Sequence, residues 1–259
     1  MSLQAKTADK AAASGGDITE AQAVKQIRRT LFYLRDHNCP GVCVFCDRPA
    51  DDGRICGHCR RLLPWNKQFC QRCGQATHAA QPPGVDCAAC QARLPPFARA
   101  RAPLIYAFPV DAALKAVKFK RQTWFVPAFS ALLLRTLERE FASVDALLPV
   151  PLHRWRQMTR GFNQAAELCR PLRRATGLPV ISQVRRNRAT RPQTGLPASE
   201  RRKNLQNAFT VAGRLRCRHP LLIDDVITTG ETCSQLAQTL LEAGAATVNV
   251  LTVARAVPG

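Results

Sequence analysis

Eight cysteines in the first half of the chain form four pairs, each with two residues between its members. Two thiolates at this spacing point at one metal ion from a tight turn, and two such turns complete a tetrahedral four-thiolate zinc site. Four pairs this close together rarely arise by chance. The pattern therefore predicts two structural zinc ions, held by Cys43/Cys46, Cys56/Cys59, Cys70/Cys73 and Cys87/Cys90.

The spacing leaves open how the four pairs share the two ions. In a sequential arrangement the first two pairs hold one zinc and the last two hold the other. In a crossed arrangement alternate pairs share an ion. An iron–sulfur cluster is a further metal alternative. Because four thiolates close the coordination sphere, either zinc arrangement predicts structural rather than catalytic ions.

The length and the N-terminal sequence limit the class of protein. The chain has 259 residues, enough for one ample domain and a small one. Its first residues lack the apolar stretch of a secretory signal, and no apolar run approaches the roughly 20 residues that span a bilayer. We therefore expect a cytoplasmic protein without membrane insertion. In such a protein, dense cysteines indicate metal binding rather than disulfides.

The charge of the chain is strongly positive, with 38 Lys and Arg against 18 Asp and Glu, a formal net charge of +20. Such an excess by itself indicates only solubility and loose attraction to polyanions. Its distribution is uneven, because Arg154 to Arg218 contain 16 basic residues and only Glu167 and Glu200 as acids. This one-sided stretch indicates a phosphate-rich partner: a phosphorylated substrate, nucleic acid, or both.

The sequence divides into four parts. Residues 1–16 lack periodicity and are expected to form a disordered tail. Residues 17–36 carry apolar side chains at three- and four-residue spacing, which predicts an amphipathic helix. Residues 39–100, rich in Cys, Pro, Gly and Arg, form the predicted double zinc ribbon. Residues 101–259 alternate strand-like and helix-like segments, which predicts an α/β fold with a mostly parallel sheet and flanking helices.

Sequence periodicity places the elements of this α/β part. Strands are predicted over 104–108, 146–150, 220–223 and 247–253. Helices are predicted over 110–119, 126–141, 162–175 and 231–242.

The segment LLIDDVITTGET, Leu221–Thr232, contains the most specific signal in this part. An apolar strand brings the chain to the carboxyl edge of the sheet, where open α/β sheets bind ligands. Asp224 and Asp225 follow at the strand end as acceptors suited to the 2′ and 3′ hydroxyls of a ribose. The next turn leads into a helix, whose amides, threonine hydroxyls and positive end suit a terminal phosphate. The alternative is an ordinary strand, turn and helix whose threonine-rich cap binds no ligand. The combination of an apolar strand, two acids and the TTGET turn disfavours this alternative.

This stretch resembles the signature of type I phosphoribosyltransferases, which bind 5-phosphoribosyl-1-diphosphate. The resemblance implies that Asp224 and Asp225 hold the ribose. It also implies that Thr228 to Thr232 hold the 5′-phosphate. The residues of the binding loop after the acid pair are then Val226, Thr228, Thr229, Gly230, Glu231 and Thr232.

Further motifs narrow the resemblance. They are LLPVPLH at residues 147–153, RGFNQ at 160–164 and AFTV at 208–211. Together with the cysteine pairs in front, they resemble the ComF family over roughly residues 40–255. The resemblance implies a type I phosphoribosyltransferase-like domain preceded by a double zinc ribbon. It also implies a role in competence and DNA uptake, with other competence proteins as partners.

By the same resemblance, the RGFNQ turn is the pyrophosphate loop. Arg160 would contact the diphosphate there, and Gly161 would let the backbone approach it. Residues 186–207 would form a mobile catalytic hood, whose Arg188 closes on the diphosphate. Arginines and a magnesium ion would neutralise the leaving diphosphate, and the hood would exclude water.

Two functions are consistent with these features. The first is an enzyme that moves a phosphoribosyl group, with Asp224, Asp225, Arg160 and Arg188 as its catalytic residues. The second is a non-catalytic protein that uses the same fold to bind nucleotide or single-stranded DNA. The intact acid pair and TTG turn favour phosphoribosyl diphosphate as a ligand, and the net charge favours nucleic acid. No residue identifies the acceptor.

Overall fold

The structure, a computed structural model, describes residues 41–50, 54–77, 85–152, 158–159, 161–187 and 208–257. The predicted tail 1–16, the predicted helix 17–36, and Arg160 and Arg188 lie outside the described residues. The described helices are α1 Gly57–Leu62, α2 Ala88–Ala92, α3 Val110–Lys120, α4 Phe125–Glu140, α5 Gln164–Thr176 and α6 Glu231–Glu242. The described strands are β1 Arg99–Arg101, β2 Leu104–Ile105, β3 Ala146–Pro149, β4 Val184–Arg186, β5 Phe209–Val211, β6 Pro220–Ile227 and β7 Asn249–Arg255.

Five of these strands form one parallel sheet in the order β1-β7-β6-β3, with β2 also on β7. Strands β1 and β2 lie one after the other along the same edge of β7 and are separated by Ala102 and Pro103. A proline has no N–H to donate to a ladder, so such a break is tolerated at a sheet edge. Strands β4 and β5 form a separate antiparallel pair.

The sheet is buried on both faces because its central strands are continuously apolar. Leu221 and Ile223 of β6 belong to one core cluster, with side chains from α3, α4 and α5. Leu222, between them, belongs to a second cluster with Leu236 and Leu240 of α6. Successive side chains of a strand point to opposite faces. Helices α3–α5 therefore cover one face of the sheet and α6 covers the other.

The zinc ribbon and the α/β part share these cores. Ile55 and Leu63 from the cysteine-rich region belong to the same cluster as Leu104 of β2. Residues Pro40–Gly259 make one compact unit. The boundary near residue 100 stays a prediction.

The fold class predicted from the sequence is confirmed, and α6 has the predicted bounds. Strand β6 is longer than predicted, ending at Ile227 rather than Ile223, so Asp224 and Asp225 lie within the strand instead of after it. The reason is the pairing with β7, which continues to the Ile227–Arg255 pair although the pairing with β3 ends at Ile223. The β4–β5 pair was not predicted.

Within the described part of the chain, no helix combines the length and apolarity that crossing a bilayer requires.

Candidate zinc sites and phosphate-binding loop

The first cysteine cluster brings together Cys43, Cys46, Cys56 and Cys59, whose Sγ atoms all lie within 4.8 Å of one another. The Sγ atoms of Cys46 and Cys56 are 3.6 Å apart. A Zn–S bond of about 2.3 Å separates the sulfurs of a tetrahedral site by about 3.8 Å, so the spacing fits one zinc ion.

Local backbone structure produces this spacing. The first turn closes with the Cys43 amide donating to the Arg48 carbonyl over 2.7 Å. The second pair lies at the start of α1, where Cys56 is the N-cap and its Sγ accepts from the Cys59 amide over 3.5 Å. This amide lowers the pKa of Cys56 to about 7. A lower pKa favours the thiolate, which is the form that binds metal.

The second cluster repeats the arrangement with Cys70, Cys73, Cys87 and Cys90. The Sγ atoms of Cys73 and Cys87 are 3.7 Å apart. Gly74 closes the first turn with a φ of 67°, and a Cβ there would lie 3.0 Å from the Ala100 carbonyl oxygen. Glycine is therefore required for the turn to pack against β1. The structure has the sequential pairing and not the crossed one.

The ribbon is attached to the sheet by buried polar side chains. The Asn66 amide donates to the carbonyls of Gly74, at 2.9 Å, and Ala102, at 3.3 Å. The guanidinium of Arg101, on β1, donates to the Gln71 carbonyl at 2.9 Å and pairs with Glu140 at the end of α4. These contacts join the second cysteine cluster, the sheet edge and α4.

The acid pair lies on β6 beyond the end of its pairing with β3. The Asp224 carboxylate accepts from the Asp225 amide, and the Asp225 carboxylate accepts from the Val226 amide, each over 2.9 Å. Burial raises the pKa of Asp224 well above its ordinary value, and the adjacent Asp225 raises it further. Lys118 near the end of α3 opposes this effect. The carboxyl thus lies where its charged form is poorly solvated.

The turn after the acid pair leads directly into α6. Thr228 and Thr229 are exposed, and the Thr229 hydroxyl accepts from the Glu231 amide over 3.4 Å. The buried guanidinium of Arg255, on β7, donates to the carbonyl of Ile227 over 3.0 Å and to that of Thr228. It holds the turn to the neighbouring strand. This role was not predicted, because Arg255 is distant from the turn in the chain and belongs to no motif.

The described part of the RGFNQ motif, residues 161–164, lies at the same edge of the sheet, because β3 and β6 are parallel neighbours. Asn163 is the N-cap of α5, accepting from the Ala165 amide, and it also donates to the Val150 carbonyl just after β3. Gly161 has a φ of 75°, and a Cβ there would collide with the guanidinium of Arg121. Arg121 therefore lies against this turn, a position that the sequence did not predict.

Gln164, the last residue of the motif, connects the turn to the acid pair. Its side chain is buried, and Nε2 has no hydrogen-bond partner among the described residues. Gln164 and Asp225 line the same small cavity of about 10 Å³. A cavity of this size is at the lower limit for one water molecule. The structure thus brings together the acid pair, the TTG turn and the described part of RGFNQ.

Comparison with known proteins identifies the family. A double zinc ribbon domain model matches residues 36–91. The chain is 38% identical over 227 residues to the DNA utilization protein YhgH of Escherichia coli O157:H7, covering 83% of this chain and 97% of that protein. It is 32% identical to competence protein F of Haemophilus influenzae and 28% identical to competence protein ComFC of Bacillus subtilis. These matches cover 83% of this chain and 91% and 95% of the relatives. The chain belongs to the ComF family.

Two solved structures are similar to this ComF family member at low TM-scores. One is glutamine phosphoribosylpyrophosphate amidotransferase from B. subtilis, at 22% identity and a TM-score of 0.30 over 47% of this chain and 25% of that chain. Another is hypoxanthine phosphoribosyl transferase of Trypanosoma cruzi, at 17% identity and a TM-score of 0.30 over 49% of this chain and 60% of that chain. The fold rests instead on the strand order and register.

The sequential pairing of the cysteines predicts how many zinc ions a double cysteine variant keeps. Wild-type protein purified without added metal should contain two zinc ions per chain, one for each four-cysteine cluster. Cys46→Ser/Cys59→Ser removes two ligands from one cluster, so elemental analysis should find one remaining ion. In a crossed arrangement Cys46 and Cys59 would belong to different sites, so both zinc ions would be lost. A zinc content near zero would therefore contradict the sequential pairing.

The burial of Asp224 predicts a pH-dependent cost to stability. Because its pKa is raised in the folded state, the protein should lose stability as the pH rises from the unfolded value of 3.8 through the folded one. Asp224→Asn removes this loss, so its melting temperature should exceed that of wild type at neutral pH, by a margin that shrinks toward about pH 4.

Asp111→Asn is the matched control, because pairing with Lys115 lowers the pKa of Asp111. The effect of pH is then reversed. The Asp111–Lys115 pair stabilises the folded state above the ordinary pKa of Asp111, and this stability is lost as the pH falls. This variant should gain no stability at neutral pH. Equal behaviour of the two variants in thermal unfolding would contradict the assigned environments.

Proposed function

We propose that this chain binds 5-phosphoribosyl-1-diphosphate together with magnesium at the Leu221–Thr232 loop. The observation that carries the proposal is the position of the two consecutive carboxylates on β6, beyond the end of its pairing with β3 and two residues before the turn that opens α6. A ribose with a terminal phosphate needs adjacent acceptors and an anion site in this order.

Each part of the ligand has a proposed position. At the edge of β6 that β3 leaves unpaired, Asp224 and Asp225 accept hydrogen bonds from the 2′ and 3′ hydroxyls of the ribose. Val226 and the Thr228–Thr232 turn surround the 5′-phosphate, which the first-turn amides of α6 and the threonine hydroxyls bind. Arg255, on β7, donates to a carbonyl at the start of this turn, so it acts as a positioning residue.

The diphosphate would lie toward the RGFNQ turn. We assign Arg160 and the backbone at Gly161 to it, with Arg188 closing from the hood. Arg121, which lies against Gly161, adds a further cation at this turn. Magnesium supplies charge neutralisation for the departing diphosphate. In the proposed transfer the C1–O bond to diphosphate breaks and a bond from C1 to an acceptor forms, with water excluded by the hood.

The names of the relatives support a cellular role. Those from E. coli, H. influenzae and B. subtilis are named for DNA utilization or competence. We infer a cytoplasmic role in handling DNA that enters the cell, alongside other competence proteins.

A second candidate is a non-catalytic protein that binds single-stranded DNA. The observation that favours it is the formal charge of +20, far above what one small phosphorylated ligand requires. The two functions are compatible within one chain.

The first candidate predicts a specific loss of ligand binding. Calorimetry should detect phosphoribosyl diphosphate binding in the presence of magnesium and much weaker binding in its absence. Asp224→Asn/Asp225→Asn should weaken this binding at least about tenfold, because a neutral amide is a poorer acceptor than a carboxylate. Zinc content should be unchanged.

Glu138→Gln/Glu242→Gln removes the same number of charges at exposed positions outside the site. This control should bind the ligand as wild type does. Equal binding by wild type and the Asp variant would show that the ribose assignment is wrong. Equal weakening in both variants would show that only overall charge matters.

A further inference from the structure

A second phosphate-compatible site lies away from the loop, in a groove between the first cysteine cluster and α4. Its volume is about 780 Å³. None of its lining residues belongs to the Leu221–Thr232 loop or to the RGFNQ turn. Its cationic lining consists of Arg60, Arg61, Lys67, Arg101, Arg135 and Arg139.

The charge of this groove is one-sided. Glu140 is the only acid among its lining residues, and it pairs with Arg101, which is 3% exposed, and with Arg139 at 3.5 Å. The exposed and half-buried cations come from three separate parts of the chain: α1, the segment that joins α1 to the second cysteine cluster, and α4. Six cations and one acid around a single concavity give it an excess of positive charge that attracts anions. The groove therefore suits a ligand with several phosphates.

The floor of the groove offers more than charge. Asn66 lines it and is 6% exposed. Its Nδ2 donates to two carbonyls, while its Oδ1 has no partner among the described residues. A buried amide oxygen without a partner is an unused acceptor for an N–H group. The half-buried rings of Trp65 and Phe69 lie on the same groove and supply apolar surface.

We propose that this groove binds single-stranded nucleic acid. The exposed cations Arg61, Lys67, Arg135 and Arg139 contact successive phosphates, and Asn66 Oδ1 accepts from the N–H edge of an unpaired base. Cations that follow a backbone beside aromatic rings are the usual means of binding single strands. A duplex does not suit the site, because base pairing already uses the N–H edge that Asn66 would read.

This inference rests on the second candidate of the proposed function and gives it a location. The volume lies within the roughly 300–1,000 Å³ of typical ligand sites, so the groove holds only a short part of a strand. Because the groove and the loop share no residues, the chain can hold phosphoribosyl diphosphate and a single strand at once.

The test uses the full zinc-loaded chain and a fluorescently labelled single-stranded oligonucleotide, as DNA and as RNA of equivalent sequence. The groove variant is Arg61→Gln/Lys67→Gln/Arg135→Gln/Arg139→Gln. Its affinity should fall at least about tenfold near 0.1 M salt, with a salt slope shallower by about 0.7 for each lost phosphate contact. Zinc content and thermal unfolding show that the variant is folded.

The matched variant, Arg173→Gln/Arg185→Gln/Arg214→Gln/Arg216→Gln, removes four exposed arginines from the basic stretch between Arg154 and Arg218. It should bind the oligonucleotide nearly as wild type does. An equal or larger loss in this variant would overturn the groove assignment. Absence of wild-type binding at low salt would overturn both the groove assignment and the second candidate, while calorimetry with phosphoribosyl diphosphate still tests the first.

Two competitors complete the test. Excess phosphoribosyl diphosphate with magnesium should not displace the oligonucleotide, and displacement would place the strand at the loop. Polyglutamate of equal charge should compete poorly, because it offers no base to Asn66. Equal competition would overturn nucleic acid as the ligand and indicate an acidic protein segment instead.

Discussion

The parallel sheet is organised around strand β6, one of its interior strands. Its apolar residues Leu221–Ile223 are fully buried, and it pairs with β3 on one side and β7 on the other. These two pairings differ in length: β7 pairs with β6 as far as Ile227, while the pairing with β3 ends four residues earlier. Asp224 and Asp225 therefore lie where β6 is paired with β7 alone, and we propose that the ribose binds at the edge that β3 leaves unpaired. The raised pKa of Asp224 is the energetic consequence of holding a carboxylate there.

The zinc ribbons are integrated with this sheet. Asn66 connects the second cysteine cluster to the sheet edge, and Arg101 connects it to α4. Short cysteine-rich segments cannot bury enough apolar surface to fold alone, so metal ions normally supply the missing stability. Here the two zinc sites also shape the surface next to β1 and α4. The basic groove exists because α1, residues 65–69, residues 101–103 at the sheet edge and α4 meet in one place.

The sequence predicted those parts of the molecule that local pattern determines. Helix α6 and both cysteine clusters follow from periodicity and spacing within short segments. The zinc pairing could not be predicted, because both pairings satisfy the same spacing and only the position of the turns in space decides. Arg255, Arg121 and Asn66 were missed for a related reason: each acts on a segment that is distant in the chain or carries no motif of its own. The extension of β6 depends on its pairing with β7, which no local pattern records.

The central claim is that β6 and the turn before α6 form a phosphoribosyl site. A crystal structure of the full chain grown with phosphoribosyl diphosphate and magnesium tests it most directly. We expect the ribose hydroxyls within hydrogen-bond distance of the Asp224 and Asp225 carboxylates, and the 5′-phosphate on the amides of Thr228–Thr232. A ligand bound with its phosphate elsewhere, or with the carboxylates left uncontacted, would contradict it.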